Sequence, residues 1–453
     1  MKTQNDLGLD CVPALVLRLA IPSMIAQFVN VLYGIIDRMY IGNINEIGDL
    51  ALAGVGVCGP IVNLLSSFGT LVGLGGSIFM AMKLGENNQK QAKQILSNCF
   101  LMLTVFSAFL TLVFLLLKEK LLLWFGASSI TMPYADTYLT IYTAGTFFAL
   151  MSIGLNYFIT CQGFAMIGMA ATLIGTIINI ALDPIFIFVL NLGVAGAAMA
   201  TVIAQFCSFA FVICFLRSKY VPIQISLGGY DFSIIKRVLT QGLSPFLILA
   251  TDSIILIILN SVLQRHGGAS EGDTLITCAT IVQSYTLLIT GPMLGISGGT
   301  QALISFNYGA RNTKRIKDAE KYILLLCLAF TTVMFLISRI LPQYFVYLFT
   351  KDSDLIQLAV WGIQVFTMAV IPLSFQYVLV DGLTALGCCK TALTLSLFRK
   401  SSFVVFTLIL PVIFTARHTF YAEPLADLIS SILTTIVYLL MINRCLHKRE
   451  TAE

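Results

Sequence analysis

Four aspartates stand inside long apolar stretches of this chain: Asp37, Asp183, Asp252 and Asp381. A charge at membrane depth costs at least about 2.5–3.5 kcal/mol, so a chain that keeps one is usually using it. Asp183 has the most informative neighbours. Asn179 lies four residues earlier and therefore on the same helix face, with Thr176 on that side as well. Pro184 follows directly; it donates no N–H, which frees the carbonyl of Ile180 from its helical partner. A carboxylate, an amide oxygen and a freed carbonyl within one turn are the hard ligands that a small cation or a transported proton needs. The competing role is a proline kink in which Asp183 hydrogen-bonds a neighbouring helix. Asp37 is equally double-edged, because Arg38 beside it also fits a hydrated ion pair near the interface.

Depth favours a shared site. Asp37 lies near the outer end of the first apolar span, and Asn179 and Asp183 lie in the outer half of the fifth. Tyr138 is about two turns into the fourth span and Thr201 about two turns into the sixth, so oxygen-bearing side chains from four helices reach similar depths. The second half offers other residues as substrate-cavity candidates: Asp252, Gln283, Asp381 and Arg399, with Gln301 nearby. Arg399 either pairs with Asp381 or, together with Lys400, snorkels from the end of its span. No Glu or His is expected inside a span, and the ion chemistry is assigned to the first half.

The elements that position these residues follow from composition. The 453 residues are 58% apolar and only 11% charged, against roughly a quarter charged in soluble proteins. A water-soluble enzyme, a disordered chain and a disulfide scaffold are excluded, and a net charge of +5 is too mild for nucleic acid. Most of the eleven cysteines lie in apolar stretches, and there are only three histidines, so no structural metal site is expected. No cleavable signal peptide is expected; the first span stays as an anchor.

A span needs about 20 apolar residues. Twelve fit, at 12–41, 50–82, 94–117, 131–160, 166–190, 194–216, 236–264, 274–308, 319–341, 354–387, 391–414 and 424–443. With the N-terminus inside, inner segments carry sixteen Lys and Arg against six outside, which places both termini in the cytoplasm. The polar connection 217–235 separates a first lobe, 1–216, from a second, 236–453. The halves match locally: Pro22 with Pro245, the 85–90 turn with 309–314, and the segment 162–168 with 381–387. Asp37 then maps onto Asn260, and Asn179 and Asp183 onto Phe398 and Ser402. Such a parallel repeat suits alternating access. The fold class is all-α polytopic membrane protein, twelve helices in two pseudo-symmetric six-helix lobes.

The runs Tyr33–Gly42, Asn179–Phe188, Gly193–Thr201 and Ser396–Arg399 resemble those of multidrug and toxic compound extrusion (MATE) transporters, in the DinF-like prokaryotic branch. The resemblance implies two lobes in a V around a central cavity, in the prokaryotic cell membrane. It also implies export of amphipathic, often cationic, small organic compounds by antiport against protons or sodium. Asp37, Asn179, Asp183 and Thr201 would be the cation-site residues, with Tyr138 beside them. A sodium ion there is the only metal expected, and no cofactor, nucleic acid or second subunit is called for. Two departures stand out: Asp381 replaces a glutamine common in relatives, and the acidic pairs of other branches are not evident in the second lobe. The nearest rival is a lipid-linked precursor flippase, which needs several cavity cations where only Arg38, Arg399 and Lys400 offer themselves. An intramembrane enzyme lacks a catalytic pair or HExxH, and the duplicated halves disfavour a passive channel.

Overall fold

The computed structural model describes residues 5–44 and 47–450. The helices run in order as α1 Val12–Gly42, α2 Gly48–Gly85, α3 Gln89–Trp124, α4 Met132–Ala144, α5 Thr146–Thr160, α6 Ala165–Pro184 and α7 Gly193–Leu216. After the central connection come α8 Phe232–Gly309, α9 Thr313–Ile340, α10 Pro342–Val346, α11 Ser353–Phe366, α12 Val370–Ala385, α13 Cys389–Ile413 and α14 Ala422–Glu450. In α8, Gly268 leaves helical geometry (φ 64°, ψ −163°) and divides the element into arms Phe232–Gly268 and Thr274–Gly309. Helices are what hydrocarbon permits, because every backbone N–H and C=O must be satisfied within the span.

Ten of the described helical segments are long and apolar enough to cross a membrane. Two bent pairs, α4 with α5 (56°) and α11 with α12 (49°), complete twelve crossings. The charge-to-charge spacing in the sequence therefore located all twelve, but two of them are broken. The last crossing begins earlier than expected, with a 3-10 turn over Ala416–Tyr421 and then α14 from Ala422. Glu423 and Asp427 thereby fall inside the bundle. Lipid-facing surfaces read as apolar stripes; on α3, Val105, Phe109, Leu112 and Leu116 recur at helical spacing and are all exposed.

The duplication is visible in the backbone. Asn87 (φ 57°) precedes Asn88, whose side chain caps α3 by accepting from the Gln91 N–H. Arg311 (φ 58°) precedes Asn312, which caps α9 through the Arg315 N–H. The turn before α6 bends at Gly163 (φ 90°) and the turn before α13 at Gly387 (φ 79°). These pairs share an offset of 224. The turn glycine Gly163 thus answers to Gly387, not Gly382, and the expected match of 162–168 with 381–387 is out of register. At the corrected offset Asn179 and Asp183 correspond to Phe403 and Thr407, not Phe398 and Ser402.

Packing divides the chain into two compact units. The first holds the N-terminal segment to Asp10, Ile25–Ala250 and Ser305–Ala310; the second holds Cys11–Met24, Thr251–Ile304 and the chain from Arg311 onward. Within lipid, helices associate through close backbone approach rather than the hydrophobic effect. In the first unit α2 meets the first arm of α8 this way: a Cβ on Gly242 would lie 1.8 Å from the Leu71 carbonyl oxygen, and one on Gly75 2.5 Å from that of Val238.

The second unit is held differently. It has an apolar core that includes Leu259, Leu263, Ile289, Ile363 and Phe420, and polar joints also link its helices. Gln376 of α12 accepts from Thr434 of α14. On α13, Arg399 reaches α14 twice, donating through Nε to Asp427 at 2.6 Å and through a terminal nitrogen to Glu423 at 2.8 Å, with its guanidinium 5.7 Å from the Tyr377 ring centroid. The adjacent Lys400 pairs with Asp252 of α8. Three carboxylates and two cations so bind α8, α13 and α14 together.

Gly242→Val should lower the thermal unfolding midpoint of the purified protein, with a cost of about 1–3 kcal/mol, the range for overpacked sites. Arg399→Met should cost about 3–5 kcal/mol because it leaves the buried Asp427 and the half-buried Glu423 without a cation. Combining it with Glu423→Gln and Asp427→Asn should restore much of the loss, and a triple variant no more stable than the single would show that the network is not what holds these helices.

Candidate functional site

The site lies in the first unit, where α1, α4, α6 and α7 bring oxygen atoms together. The α6–α7 hairpin supplies its rigid part. After Pro184, α6 gives way to one π-helical turn, Ile185–Val189, a departure often found at functional sites. The chain then reverses at Asn191 (φ 52°) and Gly193 (φ 53°) and enters α7. Small residues let the two helices close: a Cβ on Gly196 would sit 2.7 Å from the Phe186 carbonyl, and one on Gly175 2.3 Å from the Ser208 hydroxyl.

Asn179 and Asp183 point from α6 into this contact and are 1% and 0% exposed. The Asn179 amide donates to Asp183 at 2.8 Å, while its oxygen accepts from the Thr201 N–H at 3.2 Å and lies 3.3 Å from the Thr201 hydroxyl. Thr201 Oγ1 is also 3.1 Å from the Ala197 carbonyl and 3.5 Å from the Tyr33 hydroxyl. With one proton to give, Thr201 donates to a single acceptor and remains an acceptor toward Tyr33.

Asp37 approaches from α1. Its carboxyl comes within hydrogen-bonding reach of Asp183, its residue is buried, and Oδ1 meets no hydrogen-bond partner among the described residues. Arg38 is exposed, and no ion pair joins it to Asp37 among the described residues. Two ionised carboxyls side by side repel, so the pair is stable only with a proton shared between them or a cation beside them. Tyr138 of α4 is buried next to Asp37 and Tyr33 and stacks on Tyr142, ring centroids 6.2 Å apart. The Tyr142 hydroxyl in turn meets Ser66 at 3.4 Å and accepts from Gln205 at 3.3 Å. The structure thus gathers Asp37, Asn179, Asp183, Thr201 and Tyr138 around one point. Tyr33 was missed as a candidate, although its place four residues before Asp37 puts it on the same helix face; Tyr142, four beyond Tyr138, was missed likewise.

The four candidates of the second half do not converge. Asp252 and Arg399 belong to the charge network described above, joined through Lys400. Asp381 lies against Ser297 and Gln301 of α8, and Gln283, half-buried on α8, joins neither group among the described residues. The expected alternatives for Arg399, a pairing with Asp381 or snorkelling, both give way to its bond with Glu423 and Asp427. Those two acidic residues, four apart on α14, were unread because they stand where the last span was taken to begin. Glu320 is a further buried acid, on α9, accepting from the Tyr438 hydroxyl. The expectation of no glutamate inside a span is therefore corrected by Glu320 and Glu423.

Known proteins share both sequence and fold with this arrangement. The MatE family model matches residues 22–185 and 249–410. The multidrug export protein MepA of Staphylococcus aureus (strain MSSA476) is 24% identical over 427 residues, covering 93% of this chain and 92% of that protein. MepA of Staphylococcus haemolyticus (strain JCSC1435) is 25% identical over 406 residues, covering 88% and 86%. Among solved structures, an outward-facing multidrug resistance MATE family transporter of the MOP superfamily superposes with a TM-score of 0.90 at 23% identity, covering 98% of this chain and 97% of that one. A MOP superfamily transporter from Pyrococcus furiosus, described as having a binding pocket of reverse polarity, gives 0.89 at 22% identity, covering 98% and 97%. Because the family model spans well over half of the residues, and both of its matched segments carry the paired turns and the helices described above, the chain belongs to the MatE family of multidrug and toxic compound extrusion proteins.

Proposed function

We propose that the chain is a secondary active transporter that exports amphipathic, often cationic, organic compounds by antiport against protons or sodium ions through alternating access. The reading rests on one observation: Asp37 and Asp183, from different helices, are buried against each other beside the Asn179 amide. A proton or sodium ion entering between the carboxyls removes their repulsion and lets α1 stay close to α6; its departure favours a different placement of α1. Substrate drives the opposite choice, and each ligand shifts the equilibrium only by its differential affinity for the two states. The Staphylococcus relatives are named for multidrug export, which supports the same direction of transport.

In this reading residues 1–216 and 236–453 act as the two lobes, joined by 217–235. The protein works as a monomer in a prokaryotic cell membrane, with both termini inside, and performs no covalent chemistry. The flippase reading loses ground on charge. Lys400 and Arg399 are each engaged by carboxylates, and their network carries three negative groups against two positive ones, a poor receptor for a pyrophosphate.

Reconstitution into liposomes with proton and sodium gradients imposed separately tests the proposal. Efflux of a fluorescent organic cation should respond to one of the two gradients. Couplings of this kind are worth about 5–150-fold, and Asp183→Asn should collapse that dependence while leaving the protein inserted and monodisperse. Thr201→Ala should weaken the apparent affinity for the coupling ion more than the maximal rate. Full gradient-driven efflux by the Asp183→Asn protein would refute the site.

A further inference from the structure

Two thiols of the second unit lie together in a place the transport site does not use. Cys388 stands in the turn between α12 and α13, immediately before the first residue of α13, and Cys445 lies near the end of α14, 57 residues further on. Their Sγ atoms are 2.9 Å apart, inside van der Waals contact and within about 0.9 Å of a bonded length of about 2.05 Å. The turn that carries Cys388 is fixed, since the Cys388 N–H is bonded to the Leu383 carbonyl at 2.8 Å and Gly387 takes the left-handed conformation. Both cysteines are partly accessible, unlike Cys58, Cys99, Cys161, Cys278 and Cys327, which are buried. Lys390 and Arg444, two and one residues away along the chain, are exposed as well, so the pair lies at the surface of this end of the unit.

We propose that Cys388 and Cys445 are a reversible disulfide site that responds to hydroperoxides. The step balances without any other reagent. One thiolate attacks a peroxide oxygen, breaking the O–O bond and leaving a sulfenic acid and, with one proton, water. The second thiolate displaces the sulfenic hydroxyl, which takes up a second proton and leaves as a second water. Two thiols are oxidised by two electrons, and one hydrogen peroxide is reduced to two waters. Thiol reductants reverse the bond by exchange. The pair sits at the Lys- and Arg-rich end of the bundle, the end that the charge bias assigns to the cytoplasm, where resting thiols stay reduced. Oxidation there ties the last turns of α14 to the start of α13, the same two helices that Arg399 already joins inside the membrane. The bond therefore closes across a contact the fold has already made.

The test uses the full-length protein in detergent, exposed to hydrogen peroxide, then alkylated with N-ethylmaleimide and analysed by peptide mass spectrometry. The expected result is a 388–445 cross-linked peptide lighter by two hydrogens, absent after dithiothreitol and absent from Cys388→Ser and Cys445→Ser proteins. Both thiols should be lost about tenfold faster than Cys58 and Cys327, which serve as buried internal controls. Retention of both thiols after peroxide, or their conversion to sulfinic acid without the cross-link, would overturn the proposal. So would a cross-link of Cys388 to any cysteine other than Cys445.

Discussion

Two carboxyl groups on different helices, shut away from water and facing each other, are a demanding thing to build. At a separation of roughly 4 Å and an effective dielectric constant of about 20, two like charges repel by about 4 kcal/mol. That is a large part of the stability of an ordinary fold. Asp37 and Asp183 can coexist only because something positive is admitted between them or because one of them is neutral. Everything around the pair bears on that choice. Asn179 gives Asp183 a donor that does not depend on the ion, and Thr201 fixes Asn179 through its backbone N–H. Tyr33 and Tyr138 close the remaining sides with aromatic bulk and a single hydroxyl each.

The two halves share turns but not chemistry. Both use a left-handed residue followed by an asparagine cap between their second and third crossings, and both bend at a left-handed glycine before their fifth. Backbone geometry of this kind depends on few side chains and survives divergence. Where the first half places Asn179 and Asp183, the corrected register puts Phe403 and Thr407 in the second. Its charges appear instead one turn earlier on α13, as Arg399 and Lys400, and each is answered from a neighbouring helix. A network whose members neutralise one another holds helices in place. A pair of like charges does the reverse, storing a repulsion that an ion can release. The division of labour between the halves follows from that difference in sign.

Much of this was legible in the sequence, and the failures have physical causes. The twelve crossings were readable because hydrocarbon thickness sets the length of an apolar run and charge marks its ends. Asn179 and Asp183 were readable because four-residue spacing on a helix means one face. The breaks within the fourth and tenth crossings were not, since no proline stands at Gly145 or between Phe366 and Val370 to mark them. Glu423 and Asp427 were lost because a charge near a span's end looks the same whether it faces solvent or a buried arginine. The repeat register slipped by five residues at Gly382 because two glycines, Gly382 and Gly387, compete for the match and only the backbone angle tells which makes the turn.

The same contacts distinguish the two sides of the carboxyl pair. The α6–α7 hairpin is closed at two levels by Gly175 against Ser208 and by Gly196 against Phe186, so Asn179, Asp183 and Thr201 sit in one tightly packed piece. Asp37 comes from α1, a helix with Pro22 inside it and with its residues divided between the two packing units just beyond that proline. A proline interrupts the hydrogen-bond ladder and lowers the resistance to bending there. The repulsion between the carboxyls therefore acts between a stiff partner and a compliant one. In the proposed antiport a cation between the carboxyls holds α1 against the hairpin, and its departure restores the repulsion, which displaces α1 rather than the hairpin.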